Sequence, residues 1–286
     1  MLVATLLALA AAVLHAGWNL AVKQSGDRYI ALWGQFFIAG VIGSSVVVAT
    51  ALVSASGGAI AGFPASGWIW IAMSGTIHLP YTWYLARAYD HGDFSLVYPM
   101  ARGGGAMLAA VGGIVLLGDH ISTLGGIAIT TVGLGLVMLS GRGRDVGGGV
   151  RAALVVAVTI GAYSTIDAHG IRSTDTPLYA MASFVGTATS TTTFGLVTGR
   201  ASAMTAAMRS GWRRFTMMGV ASLLTYGMVQ MAFQRAAVGY VTALRESSVV
   251  IAAFAGNRLL GETAGRRRIV ASSVVLGGLI LLVLAP

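Results

Sequence analysis

Several polar and ionisable side chains stand where the surrounding sequence is apolar, at spacings that gather them on common faces. His15, Trp18 and Asn19 recur at i, i+3 and i+4, so a helix carries them on one side. His78 and Tyr81 flank Pro80; Tyr98 and Arg102 are four apart around Pro99 and run into Gly103, Gly104 and Gly105. Tyr163, Ser164 and Asp167 fall at i, i+1 and i+4, and Tyr226 and Gln230 are again four apart. Arg245 and Glu246 are adjacent, followed by Ser247 and Ser248. On a helix the first two point about 100° apart, so at least one must meet another helix or a ligand. The chemistry these types offer is binding: guanidinium for a carboxylate, carboxylate for an amine, aromatic faces for an apolar body. Pro80, Pro99 and the three glycines are hinge candidates, because proline frees a backbone carbonyl and glycine permits unwinding or close helix approach.

Other chemistry is poorly provided for. The sequence has no cysteine, its five histidines show no metal-ligand spacing, and it contains neither His-Glu-x-x-His nor Gly-x-Ser-x-Gly. No enzyme, metal or cofactor is expected.

The elements that must position these groups follow from composition. Apolar types make up 56% of the chain and charged types 9%, against roughly 25% charge in a soluble domain. Apolar runs of about twenty residues without alternation predict spanning helices rather than barrel strands. Ten spans are expected: 2–22, 30–53, 68–89, 94–118, 121–140, 150–168, 177–198, 212–234, 238–260 and 269–284. The short connections predict that sequential helices are neighbours. Residues 1–12 resemble a signal peptide in hydropathy but lack a basic start, and the run continues into His15; it is read as the first helix.

The net charge of +9 does not imply nucleic acid. Of the basic residues, fourteen flank the odd-numbered connections (Lys23, Arg28, Arg87, Arg142, Arg144, Arg151, Arg200, Arg209, Arg213, Arg214, Arg258, Arg266, Arg267, Arg268), while Arg172 and Arg235 lie opposite. Positive charge marks the cytoplasmic side, so both termini are expected outside.

The chain also reads as two repeats, 1–143 and 144–286, offset by about 145 residues. Gly17-Trp18-Asn19 aligns with Ala162-Tyr163-Ser164, Leu116-Leu117-Gly118-Asp119 with Leu259-Leu260-Gly261-Glu262, and Gly133 with Gly277. Five helices per repeat force the second to be inverted. The expected fold is therefore an all-α integral membrane protein of ten transmembrane helices, in two inverted five-helix repeats around a central cavity.

These residues and motifs resemble the drug/metabolite transporter superfamily, and within it the ten-helix EamA-type carriers, with a further likeness to amino-acid exporters of the YddG type. The resemblance rests on the two repeats, His15 to Asn19, Tyr98-Pro99-Met100-Ala101-Arg102-Gly103, Leu244 to Ser248, and the paired Leu-Leu-Gly-Asp and Leu-Leu-Gly-Glu ends. It implies an alternating-access exporter of amino acids, aromatic ones included, or similar small metabolites, in a bacterial-type inner membrane. Its partners would be a small polar or zwitterionic metabolite and the lipid bilayer, and the carrier would be a monomer or dimer. Four-helix multidrug relatives carry a proton-exchanging glutamate in their first helix. Here that helix has no acidic residue, which makes facilitated transport the simpler expectation and leaves His15 and Asp167 as candidates for proton coupling. Alternatives are a flippase for a lipid-linked sugar or polyprenyl phosphate, and a proton-coupled drug or metabolite exporter.

Overall fold

The computed structural model describes residues 1–57, 62–92, 94–139, 148–250 and 266–284. Among these, all regular structure is helical: α1 (Leu2–Lys23), α2 (Arg28–Ala55), α3 (Gly67–His91), α4 (Phe94–Leu117), α5 (Thr123–Leu139), α6 (Gly149–Thr174), α7 (Leu178–Val197), α8 (Ala201–Phe233), α9 (Val238–Arg245) and α10 (Arg266–Leu284). Five of them, α1, α2, α6, α8 and the Val97–Leu117 stretch of α4, are long and apolar enough to cross a membrane. The repeat boundary at 143/144, the motif at 259–262, and Arg142, Arg144 and Arg258 lie outside the described residues.

Polarity is distributed inside out relative to a soluble protein. Leu2, Leu6, Leu9 and Val13 of α1, Leu134 and Val137 of α5, and Met217, Val220 and Leu224 of α8 are exposed, while Arg102, Asp167, Gln35, Arg245 and Glu246 are buried. Lipid solvates the first set, and the second must find partners inside the bundle.

Two elements differ from expectation. α8 begins at Ala201 rather than near 212 and runs 33 residues, about 50 Å of helix against a hydrocarbon core of roughly 30 Å. Its first turns are alanine-rich and contain Arg209, so helix propensity continues into the interface where apolarity stops. α9 stops at Arg245, turns at Glu246 and is helical again over 247–250. At the break the bonds tighten to three-residue spacing, Glu246 N–H to Ala243 O at 3.0 Å and Val249 N–H to Glu246 O at 2.9 Å.

The helices do not pack mainly on their sequence neighbours, contrary to the short-loop expectation. α2 lies chiefly against α7 and α8, α3 against α6 and α7, α1 against α8 and α9, α4 against α6, and α5 against α10. Small residues explain the choice, since association inside a membrane depends on close backbone approach. Gly75 of α3 meets Gly186 of α7 so closely that a Cβ on Gly75 would sit 2.7 Å from the Gly186 carbonyl carbon. Gly40 abuts Ala188, and Gly219 of α8 faces the Gln35 carbonyl of α2. Gly75→Ala should therefore force α3 and α7 apart and destabilise by about 1–3 kcal/mol, read as a lower midpoint of thermal unfolding in detergent; an unchanged midpoint would contradict the close contact.

Candidate functional site

The two ends of the bundle are tied by different polar groups. At one end Lys23 Nζ donates to Tyr89 O at 3.0 Å, Arg28 pairs with Asp90, Arg200 pairs with Asp27 at 3.2 Å, and Arg214 donates to Ala21 O and to Ser25 Oγ. At the other, Arg172 pairs with Asp119 at 2.7 Å and donates to the carbonyls of Phe233 and Ala236. Asp119 Oδ2 also accepts from Val238 N–H at 2.7 Å, which satisfies an otherwise unpaired amide at the start of α9.

Between these ends lies a cavity with about 430 Å³ of empty space, lined by His15 and Trp18 of α1, Phe36 of α2, His78 and Tyr81 of α3, Tyr163 of α6, Ser183, Phe184 and Thr187 of α7, Ser222, Thr225 and Tyr226 of α8, and Arg245 of α9. One wall is aromatic. His78 stacks on Tyr163 at 4.4 Å between centroids; Tyr81 and Tyr226 meet Tyr163 edge-on at 5.5 and 5.9 Å, and Phe184 meets Tyr226 at 6.2 Å. Pro80 lies inside an unbroken α3, so His78 and Tyr81 reach the same cavity from either side of it.

Seven of the sequence-selected residues line this cavity: His15, Trp18, His78, Tyr81, Tyr163, Tyr226 and Arg245. The others are buried behind it. Asn19 donates to His15 O and accepts from Tyr89 OH at 3.1 Å. Tyr98 OH lies 3.4 Å from Ser248 Oγ. Arg102 Nη2 donates to Glu246 Oε1 at 2.6 Å, a pair almost wholly removed from solvent. Gln230 donates to Ser183 Oγ at 3.2 Å, and Ser164 Oγ has no partner among the described residues. Asp167 accepts three hydroxyl bonds: Ser74 Oγ at 3.0 Å, Tyr179 OH at 3.0 Å and Tyr226 OH at 2.5 Å.

The hinge candidates occupy tight contacts. A Cβ on Gly103 would meet Leu136 of α5, and one on Gly104 or Gly105 would meet Ala157 or Ile160 of α6. Pro99 lies within a continuous α4.

Phe36, Ser183, Phe184, Thr187, Ser222 and Thr225 line the cavity and were not selected from sequence. For Ser222 and Thr225 a signal existed: they precede Tyr226 by four and one residues, so extending its helical face backwards reaches them. Ser183 and Thr187 are likewise four apart, but threonine and serine also bond their own helix, as Thr187 does to Ser183 O at 3.2 Å, and are common in membrane helices for that reason.

Much of this lining comes from α6 to α9. Residues 147–284 match the EamA-like transporter family. The C-terminal half is thus similar to EamA-like transporters, and it supplies Tyr163, Ser183, Phe184, Thr187, Ser222, Thr225, Tyr226 and Arg245 to the cavity. A crystal structure described only as that of a protein is similar over 99% of this chain and 99% of its own, with a TM-score of 0.72 and 17% identity; at that identity the likeness concerns the fold. No curated protein matches the sequence.

Proposed function

We propose that the chain is a secondary carrier that moves small carboxylate-bearing metabolites, amino acids foremost, across a bacterial-type inner membrane by alternating access. The observation that carries this is the cavity itself: α1, α2 and α3 of the first half and α6 to α9 of the EamA-like half line it together, so movement of one half against the other would change which side it faces.

The packing pattern supports two equivalent, inverted halves. Renumbering each helix by five turns α3–α6 into α8–α1, α2–α8 into α7–α3 and α4–α6 into α9–α1, while α2–α7, α4–α9 and α5–α10 map onto themselves; every one of these pairs is in contact. The basic residues at the Lys23, Arg28, Arg200 and Arg214 end favour that end as cytoplasmic.

Arg245 supports a carboxylate cargo. It is buried in the cavity wall, with its guanidinium 6.0 Å from the Tyr226 ring and no carboxylate partner among the described residues. Facilitated movement is the simpler mode. The setting of Asp167, a buried carboxylate held only by hydroxyls, favours proton coupling as a second reading.

Proteoliposomes preloaded with each of the standard amino acids should show protein-dependent counterflow of the labelled compound for at least one of them. Absence of flux for the whole panel, with folded protein in the bilayer, would remove the amino-acid reading.

A further inference from the structure

The cavity's polar atoms are not evenly satisfied. On the α7 side the hydroxyls are occupied: Ser183 Oγ donates to Ala180 O at 3.0 Å and accepts from Gln230, and Thr187 donates within its own helix. Thr225 of α8 likewise donates to Ala221 O. On the side formed by α1, α8 and α9 four polar atoms have no hydrogen-bond partner among the described residues: His15 Nδ1, Trp18 Nε1, Ser222 Oγ and Arg245 Nε. All four residues line the cavity, and each is at least nine-tenths buried.

Buried polar atoms left unpaired are costly, and a cluster of them around one space marks a place where a ligand completes the bonding. The set is biased towards donors. Trp Nε1–H and Arg Nε–H can only donate, the serine hydroxyl can donate, and His Nδ1 donates in one of its tautomers. Such a set fits an acceptor-only, negatively charged group, and a carboxylate has lone pairs for all four.

The ammonium of an amino acid finds no corresponding partner. No Asp or Glu lines the cavity among the described residues. Asp167 stands behind Tyr226 with three hydroxyls already bonded, and Glu246 is engaged by Arg102. The aromatic rings of the lining offer cation–π attraction, but that is smaller than the cost of stripping an ammonium of water without a counter-charge, and Arg245 shares the same space. Those rings do suit a planar apolar body: His78, Tyr81, Tyr163, Phe36, Phe184 and Tyr226 line the same cavity.

From this we infer that His15, Trp18, Ser222 and Arg245 form an oxyanion subsite, and that the cargo class extends to, and favours, aromatic carboxylates that lack the α-amino group. This rests on the carrier reading above and sharpens its substrate.

Calorimetric titration of the purified full chain with three probes of matched skeleton tests it: 3-phenylpropionate, L-phenylalanine and 2-phenylethylamine. The acid should bind at least as tightly as the amino acid, and the amine at least about tenfold more weakly. Trp18→Phe keeps the ring and removes one donor; Ser222→Ala removes another with little change in volume. Each should weaken 3-phenylpropionate about tenfold, the effect of losing one hydrogen bond to a charged group. If one variant does not fold, the other carries the test. Binding of the amine as tightly as the acid, binding of none of the three, or unchanged affinity in the folded variants would overturn the subsite. Those results are separable from failure of the carrier reading, which shows instead as absence of counterflow both across the amino-acid panel and with labelled 3-phenylpropionate.

Discussion

Glu246→Ala should cost about 3–5 kcal/mol of stability, the largest effect expected of any single truncation in the core. Among the described residues the carboxylate is the partner of the Arg102 guanidinium, at 2.6 Å, and both side chains are at most 5% exposed. Removing it strands a cation among apolar helices. The pair itself contributes little net stability, because Arg102 Nε, Arg102 Nη1 and Glu246 Oε2 are buried without partners among the described residues, so desolvation is only partly repaid. The double replacement Arg102→Met with Glu246→Leu should therefore recover most of the loss. Thermal or denaturant unfolding of the two single variants and the double variant decides this. A double variant no more stable than either single one would mean that the two side chains do not act as a pair.

That pair also shows what local sequence could and could not convey. Adjacency on a helix indicated that Arg245 and Glu246 diverge. The sequence does not say where each goes, because the destinations lie on α4 and in the cavity, and the turn at Glu246 that separates them leaves no proline or glycine as a marker. Helix positions were largely legible because hydropathy is a property of each helix alone; the alanine-rich start of α8, where helix propensity and apolarity part company, and the break in α9 escaped. Partner choice was not legible. It depends on glycine meeting glycine or alanine across halves, as Gly75 with Gly186 and Gly40 with Ala188, and nothing within one helix selects the matching glycine on another.

For the site, residues conspicuous by type were found and those conspicuous only by position were missed. A tyrosine, histidine or arginine in hydrocarbon stands out because its burial is costly. Phe36 and Phe184 cost nothing to bury in any membrane helix, and become cavity residues only through the helices opposite. Conversely Arg102, Glu246 and Asn19 are as conspicuous as Arg245, yet they bond to one another, to the His15 carbonyl or to Tyr89 behind the cavity. Residue type marked them as polar centres; only packing separates those that face the cavity from those that support its walls.

Asp167 has the other large expected effect, on coupling rather than stability. An arginine partner would fix a carboxylate as an anion. Among the described residues Asp167 instead meets hydroxyls, from Ser74, Tyr179 and Tyr226. Each hydroxyl can donate to the anion or turn to accept from the protonated acid, so both charge states find bonding without moving a helix. His78 lies 3.4 Å from Ser74 Oγ, Tyr163 stacks on His78, and Arg245 reaches Asp167 only through the Tyr226 ring. Tyr226 thus joins the carboxylate to the cavity: while Asp167 is anionic it holds the tyrosine's hydrogen, and a proton on Asp167 frees that hydrogen for a bound acid. An anionic cargo and the proton then favour each other's binding, which is the linkage needed for movement in the same direction. Each unit of pH difference across the bilayer is worth about 1.4 kcal/mol, so one proton per cargo would sustain about tenfold accumulation against a gradient. Asp167→Asn should abolish that accumulation while leaving counterflow intact, because the amide fits the same hydroxyl shell. Proteoliposomes with an imposed pH gradient, loaded with an amino acid that scores in counterflow, measure both quantities; accumulation by the asparagine variant equal to the parent's would place coupling elsewhere, and its absence in both would leave the carrier facilitative.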